Sequence, residues 1–152
     1  MSDPGDEDPA PPPLVPPPRV PNTIQRFADG LAASYGGPVY LVGSGIERIH
    51  LWPGDFGYLS DLDLRCLVSR DDLERLFGPR WIRNDNPAGH CHQDIAQMRE
   101  QLKQSRRLSR ALQMRVDFQL QALPLRTKYA DRPRLRADTL PDEFFAAGLG
   151  DP

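Results

Sequence analysis

Two segments in the middle of the chain alternate apolar and polar residues, which is the pattern of a β-strand that buries one face. In residues 59–68 the apolar positions are Leu62, Leu64, Cys66 and Val68, and the polar positions are Asp61, Asp63 and Arg65. In residues 114–121 the apolar positions are Val116, Phe118 and Leu120, and the polar positions are Arg115, Asp117, Gln119 and Gln121. We therefore predict two strands that each present one polar face.

Apolar residues at helical spacing predict two shorter helices. The first runs from a cap at Asn22 or Thr23 to about Tyr35. The second follows a cap at Ser69 and ends at Phe77.

A third, long amphipathic helix is predicted over about residues 93–112. The apolar residues near one face of it are Ile95, Met98, Leu102, Leu108 and Leu112. We expect this face to be buried. The helix also carries a basic face, formed by Lys103, Arg106, Arg107 and Arg110. That face is as consistent with contact to phosphate or RNA as with an ordinary solvated surface.

A short apolar run, Val39–Val42, predicts a buried strand that leads directly into Gly43 and Ser44. Residues 46–51 favour a helical turn, and residues 52–58 favour a loop. The alternation of strands and helices predicts an α/β (α+β) domain. We expect a small mixed β-sheet of about three to five strands with helices packed on one face.

Proline separates the N-terminal segment from the rest of the chain. Of the 17 prolines in 152 residues, nine lie in residues 1–21, together with four acidic residues and one arginine. A segment of this composition has too little apolar surface to offset the entropy of ordering it. We predict a disordered, proline-rich acidic tail over 1–21, a domain over 22–125, and a basic, then loose, C-terminal tail over 126–152.

Charge, cysteine content and hydropathy favour a cytoplasmic protein that does not enter a membrane. No apolar run approaches the ~18 residues that a spanning helix needs. Only two cysteines are present, so there is no disulfide framework. The tail carries a charge of −3 out of a total of −2, which leaves about +1 for residues 22–152. This balance argues against a domain that binds nucleic acid strongly over its whole surface.

Three carboxylates are candidates for chemistry. Asp61 and Asp63 share one strand face, and Asp117 lies on the polar face of the other alternating strand. If these strands are neighbours, the three carboxylates meet and repel one another unless cations bind between them. Oxygen ligands of this kind suit Mg²⁺ or Mn²⁺. The alternative is an ordinary solvent-exposed strand face.

Gly43 and Ser44 add a candidate phosphate site. Glycine allows the backbone to approach a phosphate closely, and serine supplies a hydroxyl beside it. Three pieces of sequence then carry a resemblance: Leu41-Val42-Gly43-Ser44, Ser60-Asp61-Leu62-Asp63-Leu64 and Arg115-Val116-Asp117-Phe118. Together they resemble the DNA-polymerase-β-type nucleotidyltransferase superfamily, in particular its minimal members. The similarity covers about 85 residues.

The resemblance implies a fold, an activity and a set of residues. Gly43 and Ser44 would hold the nucleotide phosphates, and Asp61 and Asp63 would bind Mg²⁺ or Mn²⁺. Asp117 would complete the metal site and help deprotonate the acceptor. The implied reaction moves an NMP from an NTP, with ATP expected, to a hydroxyl of a small molecule, a protein or an RNA.

Basic and aromatic residues near these motifs give further expectations. We expect Arg65 and Lys128 to bind the nucleotide as well. The aromatic residues before the acidic pair could stack on a base or pack on the core; they are Trp52, Phe56 and Tyr58.

Two departures from the family keep a rival function open. Ser44 and Asp61 are 17 residues apart, which is longer than the usual spacing. The chain also has little room for the second domain that larger relatives carry. It could instead be a non-catalytic or weakly active module of this fold that binds and regulates a protein partner, as antitoxin-like members do.

Overall fold

The computed structural model describes residues 19–83, 94–126 and 130–138. The helices are α1 (Asn22–Tyr35), α2 (Gly45–Arg48), α3 (Phe56–Leu59), α4 (Arg70–Phe77) and α5 (Ile95–Leu112), with a 3₁₀ turn at Ile49–Leu51. The strands are β1 (Val39–Val42), β2 (Leu62–Ser69), β3 (Val116–Leu123) and β4 (Leu135–Arg136). No helix in the described part of the chain is long and apolar enough to cross a membrane.

The four strands form one mixed sheet in the order β3-β2-β1-β4. Strands β2 and β3 are parallel, whereas β1 is antiparallel to both of its neighbours. The predicted α+β class and the small mixed sheet are therefore confirmed.

The two faces of the sheet follow the alternation in the sequence. The alternating apolar positions of β2 and β3 are buried in the main core, which also holds the inner faces of α1 and α4. A much smaller cluster on the opposite face contains Tyr40, Leu67 and Leu125. The remainder of that face carries polar residues of β2 and β3, as the sequence predicts.

Helix ends agree with the sequence except at the start of α1. The cap position is Pro21, and no side chain caps the helix, so the expected cap at Asn22 or Thr23 is wrong. Gly36 ends this helix in the left-handed conformation with φ of 81°. At α4, the Ser69 hydroxyl accepts a hydrogen bond from the Asp72 N–H at 3.1 Å, as predicted.

Residues 45–59 fold as a chain of short helical turns. The expected helical turn after Gly45 is present, but the predicted loop over 52–58 is replaced in part by α3. The reason is burial, since Phe56 is completely buried and Ile46 and Ile49 join it in the main core. These apolar side chains anchor the segment to the domain.

The predicted apolar face of α5 is buried only towards its C-terminal end, where Leu108 and Leu112 pack on the core. Ile95, Met98 and Leu102 are about half exposed, whereas Leu108 is completely buried. The other buried residue of this helix is Gln97. Its side-chain amide accepts from the Ile82 N–H at 2.6 Å and donates to the Ile82 carbonyl at 3.0 Å.

Polar side chains of α5 face inward because they cover the edge of the sheet. Strand β3 is an edge strand, so a row of its backbone N–H groups has no neighbouring strand. Three acceptors spaced four residues apart on α5 bind these groups at 2.9–3.0 Å. The pairs are Ser109 with Val116, Ser105 with Phe118, and Gln101 with Leu120. A helix face chosen by apolar spacing alone misses this role.

Both ends of the domain extend past the predicted limits of 22 and 125. Val20 is buried in the main core at the N-terminal side. On the C-terminal side, β4 pairs with β1, and Leu135 and Ala137 are completely buried. Residues 1–18 and 139–152, to which most of the predicted tails belong, lie outside the described residues.

The position of α5 gives a prediction for two leucines on one helix. Leu108→Ala should lower the free energy of unfolding by about 2–5 kcal/mol, because it leaves a cavity in the core. Leu102→Ala should change it by no more than about 0.5 kcal/mol, because Leu102 is half exposed. Urea denaturation of both variants measures the difference. Equal losses would show that both leucines are buried in solution.

Candidate active site

Parallel pairing of β2 and β3 places two of the candidate carboxylates side by side. Asp63 of β2 and Asp117 of β3 are partners in the strand register. Their side chains leave the sheet on the same face because they occupy equivalent positions in a parallel pair. The two polar strand faces thus form one continuous surface.

Arg65 binds Asp117 from the neighbouring strand. One guanidinium nitrogen, Nη2, lies 3.2 Å from Asp117 Oδ2, and Nη1 donates to the Asp117 carbonyl at 3.2 Å. Gln119 also donates to Asp117 Oδ2, at 3.3 Å. Asp117 therefore has partners within the protein, although nearly half of its side chain is exposed.

The Asp63 carboxyl is partly removed from water and lies near two other carboxylates. Burial raises its pKa, and the charges of Asp117 and Asp61 raise it further, whereas Arg65 lowers it. Removal of the carboxylate from water disfavours its ionised form, and two neighbouring negative charges add to that cost. A cation bound beside Asp63 would relieve both effects.

Asp61 lies just before β2 and is turned towards another arginine. Its Oδ2 is 3.7 Å from Arg115 Nε, and both side chains are more than half exposed. Such an exposed pair contributes little stability and can open readily. Among the residues that the structure describes, no three acidic, histidine or cysteine side chains are grouped closely enough to hold a metal ion.

The donor set nevertheless fits a hard divalent cation. Asp63 and Asp117 are adjacent oxygen donors on one face of the sheet, and carboxylate oxygens are the ligands that such a cation prefers. Asp61 can join them only by leaving Arg115. A cation site would therefore use Asp63 and Asp117 where they stand, and Asp61 after its side chain has turned.

Position 43 requires a glycine for two reasons, its backbone conformation and the closeness of Asp63. Its φ of 74° is in the left-handed region, which residues with a Cβ rarely adopt. A Cβ at this position would also lie 3.0 Å from Asp63 Oδ2. The turn after β1 therefore lies directly against the candidate carboxylate.

The long spacing between Ser44 and Asp61 does not separate the two motifs. The hydroxyl oxygens of Ser44 and Ser60 are 2.9 Å apart, so the short helical turns between them return the chain to its starting point. The Ile46 N–H of this turn already donates to the Gly43 carbonyl at 3.3 Å, so it is not free to bind a phosphate. The Ser44 side chain is the more available phosphate donor.

A cavity of about 570 Å³ opens beside these residues. Four predicted site residues line it: Gly43, Ser44, Asp63 and Arg65. Asp61 and Asp117 are not among its lining residues, and Lys128 lies outside the described residues. The volume is in the range of small-molecule sites.

Several lining residues were not predicted as site residues. The polar ones are Glu47, Gln119, Gln121, Arg132 and Arg134. The alternation of apolar and polar residues in β3 places Gln119 and Gln121 on the same face as Asp117, so the sequence contains enough information to predict them as site residues. Arg132 and Arg134 belong to the predicted basic tail, which follows β3 closely enough in the sequence to suggest contact with a triphosphate or a polynucleotide. Their place beside the cavity depends on how β4 joins the sheet.

The aromatic residues before the acidic pair separate into two groups. Phe56 belongs to the core, and the partly buried Trp52 packs against it with ring centres 5.7 Å apart. Tyr58 is 92% exposed, and stacking on a base stays a prediction for this residue alone.

Gly43→Ala should destabilise the protein by more than about 1 kcal/mol, because the new Cβ meets both the left-handed backbone and Asp63. Gly30→Ala is a matched control. Gly30 lies inside α1 with no atom within 4 Å of an added Cβ, so the control should be stabilising by about 0.5–1 kcal/mol. Thermal or urea unfolding distinguishes the two. A neutral Gly43→Ala would contradict the close approach.

Asp63→Asn should change the pH dependence of stability. The folded protein holds the Asp63 proton more tightly than the unfolded chain, so the wild type loses stability as pH rises above 3.8 through the raised pKa. The variant has no such ionisation. Its free energy of unfolding, relative to the wild type, should therefore increase from acidic to neutral pH. A relative stability that falls with pH would show that Asp63 is stabilised as a carboxylate.

Similarity to other proteins does not assign this site. Comparisons with protein-family models, with curated proteins and with solved structures found no match to this chain. A function for the cavity and its carboxylates therefore has to be argued from their chemistry.

Proposed function

We propose that the protein is a metal-dependent nucleotidyltransferase that moves an NMP from an NTP to a hydroxyl acceptor. The observation that carries the proposal is the in-register pair Asp63 and Asp117 beside a cavity that Gly43 and Ser44 also line. Nucleotidyl transfer needs at least carboxylates that can bind a metal ion and, beside them, a turn that can hold the phosphates. The acceptor is a small molecule, a protein or an RNA, and ATP is the expected nucleotide.

Asp63 and Asp117, joined by Asp61 after it leaves Arg115, would hold Mg²⁺ or Mn²⁺. When bound, the metal ion supplies charge neutralisation on the phosphates and orients the attacking and leaving oxygens. Because the pairing of Asp61 with Arg115 is exposed, exchanging it for a cation costs little.

The remaining steps belong to residues of the chain. Gly43 lets the backbone approach the triphosphate, and the Ser44 hydroxyl donates to a phosphate oxygen. Asp117 accepts the proton of the acceptor hydroxyl as its oxygen bonds to the α-phosphorus. The bond from the α-phosphorus to the bridging oxygen breaks, and pyrophosphate leaves.

Arg65 positions Asp117 for this role. It binds both the carboxylate and the backbone carbonyl of Asp117, so it fixes the side chain on the surface of the sheet. Because Arg65 lines the cavity too, it can bind a phosphate oxygen there.

The test is label transfer from α-labelled NTPs in the presence of Mg²⁺ or Mn²⁺, with and without cell extract. The wild type should label a protein, an RNA or a metabolite, and the double variant Asp61→Ala/Asp63→Ala should lose at least about 100-fold in rate. Asp29→Ala is the matched control, since it removes an exposed carboxylate of α1 that belongs to none of the motifs and does not line the cavity. It should retain full activity.

A second candidate function is a binding module without catalysis, which regulates a protein partner. Two observations favour it: Arg65 and Arg115 already neutralise two of the three carboxylates, and α5 exposes the apolar residues Ile95, Met98 and Leu102. No label transfer, together with no metal-dependent NTP binding that the double variant lacks, would reject the enzyme. Capture of a partner through α5 would then be the next measurement.

A further inference from the structure

Arg134 is a buried charged residue that lines the cavity, so a ligand in the cavity could contact it. It is 4% exposed, and the other buried polar residues in the described ranges are both glutamines, Gln97 and Gln121. Burial lowers its pKa, while the nearby Tyr40 and Asp131 favour the cation. An arginine stays protonated under such conditions, so the site holds a positive charge that water solvates poorly.

The hydrogen bonds of Arg134 are incomplete. Its Nη2 donates to the Ala130 carbonyl, but its Nε has no partner among the described residues. A buried donor without a partner costs free energy comparable to a lost hydrogen bond. Such a group in a native protein calls for a ligand or water that completes it.

Strand pairing places Arg134 beside the candidate phosphate turn. Leu135 of β4 is the register partner of Leu41 in β1, and the two strands are antiparallel. One step back along β4 therefore corresponds to one step forward along β1, from Leu41 to Val42, which directly precedes Gly43. Arg134 accordingly lines the same cavity as Gly43 and Ser44.

The charges around the cavity suit an anion that arrives with a cation. Arg65, Arg132 and Arg134 are the basic residues that line it, and Asp63 and Glu47 are the acidic ones. The acids repel a bare anion, whereas a nucleotide polyphosphate with its divalent ion satisfies both signs. Arginine also binds phosphate oxygens with directed, often paired, hydrogen bonds.

We propose that Arg134 binds the triphosphate of the nucleotide, so that the C-terminal segment 130–138 supplies a wall of the nucleotide site. This inference rests on the proposed function and extends it to a residue outside the predicted domain limits.

The neighbouring Arg136 provides a matched control. Its guanidinium binds Asp138 through two hydrogen bonds of 2.8 and 2.7 Å and lies over the Tyr40 ring at 5.9 Å. It is not among the residues that line the cavity. Arg136→Gln therefore removes the same charge from the same segment, two residues away, without altering a residue that lines the cavity.

The experiment is calorimetric titration of the full chain with inorganic tripolyphosphate, ATP and adenosine, each with Mg²⁺. Arg134→Gln should weaken tripolyphosphate and ATP binding by about tenfold or more, the loss expected for a charge-assisted hydrogen-bond pair. Adenosine binding should not change. Arg136→Gln should bind all three as the wild type does.

A second measurement covers the case in which Arg134→Gln does not fold. In the wild type, tripolyphosphate should slow modification of Arg134 by phenylglyoxal, but not that of Arg136, as read by mass spectrometry of the peptides. Arg134→Lys, which keeps the charge, should bind tripolyphosphate more weakly than the wild type and more tightly than Arg134→Gln.

The outcomes separate this inference from the proposed function. If the wild type binds tripolyphosphate and both Arg134 variants match it, or if Arg134 is not protected, the inference fails and the nucleotidyltransferase proposal stands. If Arg134 is needed for binding but no label is transferred, the anion site stands and the enzyme fails. If the wild type binds neither ATP nor tripolyphosphate, both fail.

Discussion

The parallel pairing of β2 with β3 is the constraint on which the candidate site depends. Parallel neighbours place equivalent positions side by side, so Asp63 and Asp117 meet although they are 54 residues apart in the sequence. The same pairing lets Arg65 reach Asp117 across the strands. A shift of one residue in this register would move every polar side chain of β3 into the core, so core burial and site geometry are specified together.

Two devices protect this pairing at the edges of the sheet. On one side, Gln101, Ser105 and Ser109 of α5 accept hydrogen bonds from N–H groups along the outer edge of β3. On the other side, β4 pairs with β1 and brings Arg134 to the cavity. The first device closes an edge that could otherwise bind another strand, and the second turns the opposite edge into part of a binding site.

The sequence patterns that predicted the structure correctly were local ones, in which neighbouring residues define the buried face of a strand or the cap of a helix. The alternation in β2 identified its buried and polar faces, and the Ser69 cap was located to the residue. Apolar spacing misassigned α5, because Gln97 and the three edge acceptors pack inward while Ile95 and Met98 stay exposed. Hydropathy cannot recognise a helix whose buried partner is strand backbone rather than apolar side chains.

The sequence by itself determined the strand faces, the turn at Gly43 and the set of carboxylates, because each depends on residues close together in the chain. Tertiary structure alone decided three further points. It brought Ser44 back to Ser60 across a long spacing, turned Asp61 towards Arg115, and placed Arg134 in the cavity. Each of these depends on which distant segments become neighbours, and that choice is made by packing over the whole domain rather than by local pattern.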